Sequence, residues 1–121
     1  MWKVFSSLGH AFRGMFDLLS SERNAQIEFV LALFFIALGW WLNLSVTEWC
    51  FVFACIGAVI GAEGLNTAIE RLCDFHTKEL HEDIRFVKDV AAGSVLIIGI
   101  MVVCIGLVIY GPKVMHLICP I

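Results

Sequence analysis

The stretch that decides the fold is residues 49–74, WCFVFACIGAVIGAEGLNTAIERLCD. Its first fourteen residues carry no charge, and Glu63, Asn66 and Glu70 then follow without a turn signal between them. An apolar run that continues into a helix of about 25 residues is long enough to cross a membrane. We therefore predict a membrane helix over 47–72 that continues beyond the apolar layer into a polar segment.

Two further apolar stretches flank this helix. The first, over 27–44, is interrupted by charge only at Glu28. The other, over 90–110, ends at Gly111-Pro112, a typical helix stop. Each is long enough for a bilayer, and we predict three membrane helices in all.

The N-terminal segment has a different pattern. Over residues 1–20, apolar side chains such as Phe5, Phe12 and Phe16 recur every three or four positions, with polar residues between them. This spacing is typical of an amphipathic helix that lies at a membrane interface rather than spanning it. The predicted fold class is an all-α membrane protein, with residues 1–121 forming a single membrane-embedded domain.

The composition excludes several classes of protein. Of 121 residues, 60% are hydrophobic and 16% are charged, too apolar a balance for one small soluble globule. The net charge is −3 and the eight Lys and Arg residues are scattered, which argues against nucleic acid as a partner. The five cysteines include no Cys-x-x-Cys pair, and we expect them to be small buried apolar residues.

The basic residues predict the orientation, because they concentrate on the cytoplasmic side of membrane proteins. The turn over 43–48 has none, and the segment after 110 has only Lys113. We expect a multi-pass protein of the bacterial cytoplasmic (inner) membrane, with a cytoplasmic N-terminus and the C-terminus outside. The other basic residues precede the first membrane helix or lie between the second and third: Lys3, Arg13, Arg23, Arg71, Lys78, Arg85 and Lys88.

A polar stripe on the second membrane helix carries the chemistry. Glu63, Asn66, Glu70 and Asp74 are three, four and four residues apart. At ~100° per residue they fall within an arc of roughly 80°. Like charges at this spacing repel, and a carboxylate in hydrocarbon costs several kcal/mol. A divalent cation is the simplest compensation, and oxygen ligands favour Mg²⁺, which indicates phosphoryl transfer with Glu63 as the group that accepts a hydroxyl proton.

The residues alone leave other interpretations open. The acids can form a solvated rim paired with Arg71, Lys78 and Arg85. A small ion-coupled transporter is a second interpretation, in which the stripe binds the coupling ion. A third is a noncatalytic assembly subunit whose polar groups pair helices.

One sequence pattern narrows these choices. The run E-x-x-N-x-A-I-E-x-x-x-D over 63–74, followed by Lys88-Asp89, resembles the prokaryotic diacylglycerol kinases, which are small integral membrane lipid kinases. The resemblance implies transfer of phosphate from ATP, with Mg²⁺ as cofactor, to a lipid hydroxyl. It also implies a homotrimer of three-span subunits with composite sites at the cytoplasmic interface, which is physically reasonable because three short helices cannot enclose a polar site alone.

The resemblance also assigns residue roles. Glu63 matches the catalytic base, and Glu22 and Glu70 match the metal carboxylates. The residues matched to nucleotide binding are His10, Glu22, Glu70, Asp74, Glu79, His81, Lys88 and Asp89. Those expected to support the site or to contact the lipid are Asn66, Asn24, Glu28, Trp41 and Trp49.

The acceptor lipid is predicted from details outside the central motif. The segments 22–24, 43–49 and 111–113 are similar to the undecaprenol kinase branch of the family, whereas His10 stands where many members have Tyr. We expect undecaprenol as the acceptor, with diacylglycerol as the alternative. An apolar pocket discriminates weakly between lipids, so the sequence does not separate them further.

Overall fold

The computed structural model describes residues 1–120 and is built from α-helices, with no strand in that range. The all-α prediction is confirmed. Four helices follow one another along the chain: α1 (Trp2–Ser21), α2 (Arg23–Trp41), α3 (Val46–His76) and α4 (Glu82–Ile118).

Three of these helices, α2, α3 and α4, are long and apolar enough to cross a membrane. This agrees with the predicted number of membrane helices, and the bounds of the spans, 27–44, 47–72 and 90–110, stay a prediction. The helix α3 lies in the middle, with α4 and α2 packed against it, and α1 contacts α2. α1 covers the predicted N-terminal helix, and its position at the membrane interface stays a prediction.

The helix boundaries differ from the expected spans in the polar connection and at the C-terminal end. Much of the polar segment 73–89 is helical, because α3 continues to His76 and α4 begins at Glu82. The stop predicted at Gly111-Pro112 does not end α4, which continues to Ile118 with Pro112 inside it. A proline removes one backbone donor. Four of the six helical residues beyond it are apolar, and the chain keeps its helical path.

The turn predicted between the first two membrane helices is confirmed. Asn43 has a φ of 56°, a left-handed conformation that asparagine tolerates better than most residues. Ser45 then begins α3 with a capping box. Its hydroxyl accepts the Glu48 backbone N–H at 3.2 Å, and its own N–H donates to the Glu48 carboxylate at 3.0 Å.

The buried apolar core lies at this turn and is formed by Leu44, Val52, Ile109 and Tyr110. We call this region the tyrosine end. The Tyr110 hydroxyl donates to the backbone carbonyl of Phe35 at 2.7 Å, which ties α4 to α2. The helices approach closely here: a Cβ on Gly39 would lie 2.7 Å from Leu44 Cδ1 and 3.1 Å from the Tyr110 hydroxyl oxygen.

An ion pair between Lys113 and Glu48 joins α4 to α3 at the tyrosine end. Lys113 Nζ lies 3.4 Å from Glu48 Oε1, with both side chains about two-thirds or more shielded from solvent. This contact joins the far part of α4 to the first turn of α3. It also gives the helix beyond Pro112 a polar anchor.

Most other large apolar side chains are exposed on the single chain. Phe34 is 57% exposed, Leu96 65% and Val108 74%. Surfaces this apolar require lipid or another protein to cover them. The cysteine prediction is correct for Cys55 and Cys73, which are buried, and wrong for Cys50, Cys104 and Cys119, which are exposed free thiols. Cys50 and Cys104 lie on helix faces that the packing within residues 1–120 does not cover, and Cys119 is the C-cap residue of α4.

Candidate functional site

The polar stripe of Glu63, Asn66, Glu70 and Asp74 begins inside the bundle. Glu63 is 5% exposed and Asn66 is 9% exposed, and they are the buried polar or charged residues among residues 1–120. On the adjoining face of α3, a Cβ on Gly64 would lie 3.1 Å from Leu18 Cδ2, so the end of α1 packs directly beside the stripe. We call this region, opposite the tyrosine end, the polar end.

Asn66 positions a neighbouring carboxylate. Its Nδ2 donates to Glu70 Oε1 at 3.2 Å, as the spacing of four residues on a helix allows. The Asn66 Oδ1 is buried and has no hydrogen-bond partner within residues 1–120. A buried amide oxygen without a donor is unfavourable by about 1–3 kcal/mol. The stripe therefore contains an acceptor for a ligand, cation or neighbouring chain.

The outer end of the stripe contacts α4. Lys88 Nζ lies 2.5 Å from Asp74 Oδ1, so Lys88 lies level with the outer end of the stripe. The hydrogen bond that Lys88 donates to the Asp74 carboxylate raises the pKa of Lys88, which precedes the predicted span of 90–110. Lys88 therefore stays an ammonium at neutral pH.

Glu22 occupies the junction of two helices. It is the residue between α1 and α2, and its extended backbone breaks the helical path. Its Oε1 lies 3.5 Å from Arg71 on α3. The packing thus brings Glu22 to Arg71, the residue that follows Glu70 on α3.

Cations of the protein pair with part of the predicted site. Besides Glu22 and Asp74, Asp89 is paired with Arg85 at 2.7 Å. Among the stripe acids of the described chain only Asp74 is paired, and its partner is Lys88 rather than one of the cations named in the solvated-rim interpretation. Glu63 and Glu70 form no ion pair in the described part of the chain. The acids of the inner stripe remain for other partners.

The remaining predicted nucleotide residues lie around the start of α4 or on α1. His81 is the N-cap of α4, where its Nδ1 accepts the Asp83 backbone N–H at 3.2 Å. The side chains of Glu79 and His10 are exposed, as is that of Asn24. Across residues 1–120 no hydrogen bond or ion pair joins any of these four predicted residues to the stripe.

A cavity of about 610 Å³ lies between α2, α3 and α4. Its lining is apolar apart from Glu28 towards the polar end and Tyr110 at the tyrosine end. The Glu28 Oε2 is buried without a hydrogen-bond partner in the described chain. Of the two tryptophans predicted to support the site, Trp49 packs on Phe53 with ring centroids 5.5 Å apart, whereas Trp41 is 66% exposed.

The donor set is compatible with Mg²⁺ under one condition. No group of three or more His, Cys, Asp and Glu residues within 1–120 is close enough to hold a metal ion by itself. Mg²⁺ commonly uses one or two protein carboxylates, with waters and phosphate oxygens completing its shell. Glu70, oriented by Asn66, and Glu22 across the junction fit that mode, in which the nucleotide supplies the missing ligands.

The contacts between α3 and the junction of α1 and α2 were not predicted from the sequence. Gly64 and Arg71 are seven residues apart on α3, and they meet Leu18 and Glu22, which are four residues apart. Both spacings place their members on one helix face. The seven-residue spacing of the small Gly64 and the cationic Arg71 is the sequence signal that could have predicted where the junction packs on α3.

Comparisons with known proteins point in one direction. A model of the prokaryotic diacylglycerol kinase family matches residues 9–110 of this chain. An undecaprenol kinase of Bacillus subtilis (strain 168) is 37% identical over 111 residues, which is 92% of this chain and 90% of that relative. The matched region contains the stripe, Glu22 and Lys88.

Proposed function

Because this chain belongs to the prokaryotic diacylglycerol kinase family, we propose that it transfers the γ-phosphate of ATP to undecaprenol. Membership makes it a membrane lipid kinase, a phosphotransferase with an alcohol group as acceptor, whose substrates are ATP and a lipid. The resemblance seen in the motif is thereby confirmed. The transporter and assembly-subunit interpretations lose their support, since neither accounts for a kinase match along most of the chain.

The choice of undecaprenol is supported by the curated relative, which carries that name and covers nearly the whole chain. The apolar cavity with the single carboxylate of Glu28 is compatible with a long hydrocarbon acceptor. It is also compatible with diacylglycerol, because apolar contacts discriminate weakly. Diacylglycerol is therefore the competing outcome of the test below.

The observation that carries the mechanism is that Glu63 is buried near Asn66 and forms no ion pair within residues 1–120. In the proposed reaction the Glu63 carboxylate takes the proton of the lipid hydroxyl as its oxygen attacks the γ-phosphorus. The bond from that phosphorus to the bridging oxygen breaks, and ADP leaves. Shielding from water suits Glu63 to this role and protects ATP from hydrolysis.

We assign the charge around the phosphates to three side chains. Glu22 and Glu70 would hold Mg²⁺, which when bound neutralises phosphate charge. Lys88 would move from Asp74 to the terminal phosphate, a short exchange for an ammonium on a flexible stem. Residues matched to further nucleotide contacts by the family motif are His10, Asp74, Glu79, His81 and Asp89.

The assembly and its orientation complete the proposal. Glu70 is exposed on the single chain although it belongs to the stripe, and large apolar surfaces of α2, α3 and α4 lack an intrachain partner. A homotrimer in the bacterial inner membrane, with the polar end and N-terminus cytoplasmic, would cover both. The distribution of basic residues supports this orientation.

The test is phosphate transfer by the purified chain in detergent micelles. Labelled ATP with Mg²⁺ is supplied with undecaprenol or with diacylglycerol, and EDTA provides the metal-free control. We expect at least a tenfold preference for undecaprenol, which corresponds to ~1.4 kcal/mol of differential transition-state binding, and no transfer in EDTA. A preference for diacylglycerol would overturn the acceptor assignment, and undiminished transfer in EDTA would overturn the metal assignment.

A further inference from the structure

Arg71 lies on the line of α3 that faces the junction of α1 and α2. Leu18 packs beside Gly64, and Glu22, four residues after Leu18, meets Arg71, seven residues after Gly64. Two independent contacts thus fix the junction against α3. The guanidinium of Arg71 is therefore held near the polar end by the packing of the fold.

The pair between Arg71 and Glu22 is suited to exchange. The Arg71 side chain is 70% exposed, whereas that of Glu22 is 29% exposed, so a solvent-exposed cation covers a partly shielded carboxylate. At 3.5 Å the contact is longer than a strong charge-assisted hydrogen bond. Exposed pairs of this kind contribute little to stability. A competing cation at Glu22 can displace the guanidinium without unfolding the junction.

The position of Arg71 determines what it meets after displacement. It follows Glu70 directly, and at ~100° per residue it lies about 60° around the helix from Asp74, whose partner is Lys88. Arg71 and Lys88 are thus two cations at the outer part of the stripe, each neutralised by a carboxylate. A guanidinium presents paired N–H donors that match phosphate oxygens.

From this arrangement we propose that Arg71 is a nucleotide-contacting residue: it neutralises Glu22 in the nucleotide-free chain and binds the triphosphate when a divalent cation takes Glu22. The inference rests on the proposed function, since it uses Glu22 as the metal carboxylate. It adds a residue that the family motif does not assign. Metal binding and phosphate recognition are coupled through one side chain.

The test measures ATP binding to the full chain in detergent micelles by titration calorimetry, first in EDTA. Glu22→Gln should bind ATP about fivefold more tightly than the unchanged chain, because Arg71 is released towards the phosphates. The double variant Glu22→Gln with Arg71→Ala should lose that gain. The matched control, Glu22→Gln with Lys78→Ala, removes one cation from the same polar segment and should keep it.

A second arm uses Mg²⁺. Arg71→Ala alone should weaken ATP binding about tenfold with Mg²⁺ and less than twofold in EDTA, whereas Arg71→Lys should retain part of the affinity. Circular dichroism verifies that each variant stays folded. A gain that persists without Arg71, or an Arg71→Ala effect that is equal with and without Mg²⁺, would overturn the inference. Failure of the kinase proposal shows separately, as binding that follows this pattern without phosphate transfer to any lipid.

Discussion

The two ends of the bundle differ in whether their polar groups have hydrogen-bond partners. At the tyrosine end the Tyr110 hydroxyl, the Ser45 hydroxyl and the Glu48 carboxylate all have protein partners, and Tyr110 belongs to the buried apolar core. At the polar end Asn66 keeps a buried oxygen without one. Satisfied polar groups stabilise a fold, and a buried group left open is unfavourable. We therefore expect the tyrosine end to contribute chiefly to stability and the polar end to contribute the chemistry.

The largest expected effect is on phosphate transfer, and it comes from replacing a glutamate with glutamine at each end of the bundle. Glu63→Gln should lower phosphate transfer by about 10²–10⁴-fold, because an amide cannot take the hydroxyl proton, while ATP still binds. Glu48→Gln is the matched control at the tyrosine end and should keep turnover. Labelled-phosphate transfer and calorimetric ATP binding give the two readouts. Normal turnover in Glu63→Gln would remove the base from the mechanism.

A smaller effect probes the close packing at the tyrosine end. Gly39→Ala places a methyl group 2.7 Å from Leu44 Cδ1 and 3.1 Å from Trp49, which should reduce stability by about 1–3 kcal/mol. Gly57→Ala is the control, since nothing lies within 4 Å of its added Cβ, and helix propensity should make it neutral or slightly stabilising. Thermal unfolding in micelles measures both. Equal midpoints for the two variants would contradict the packing described for this end.

The smallest effect tests whether the ends are independent. Tyr110→Phe removes the hydroxyl that donates to the Phe35 carbonyl and should reduce stability by about 0.5–1.5 kcal/mol. Below its unfolding temperature the variant should transfer phosphate at the normal rate. Comparing the unfolding midpoint with the rate checks this expectation. A large loss of rate in a folded Tyr110→Phe protein would show that the tyrosine end supports catalysis and that the two ends are not independent.

The three membrane helices were predictable because their apolar runs are long and carry few charges. The turn was predictable from Asn43 and Ser45, which favour a left-handed residue and a helix cap. The continuation of α4 past Pro112 was not, because a general helix-stop rule says nothing of the ion pair between Lys113 and Glu48. That pair depends on how two helices pack.

The same limit applied to the candidate site. The spacing of Glu63, Asn66 and Glu70 placed them on one face, and the structure shows two of them buried and two of them hydrogen-bonded. Which acids carry a protein counter-ion could not be read from spacing. The contact of Glu22 with Arg71 joins distant parts of the chain and follows from the packing of α1 beside Gly64.

The unbroken course of α4 has a mechanical consequence. Its 37 residues extend about 55 Å, well beyond a hydrocarbon layer of ~30 Å. A rod longer than its surroundings adapts by tilting, and both of its ends then move in opposite directions. Lys88 and Lys113 lie on opposite sides of its apolar middle. Because the tilt depends on bilayer thickness, the thickness should change how far Lys88 lies from the aqueous phase.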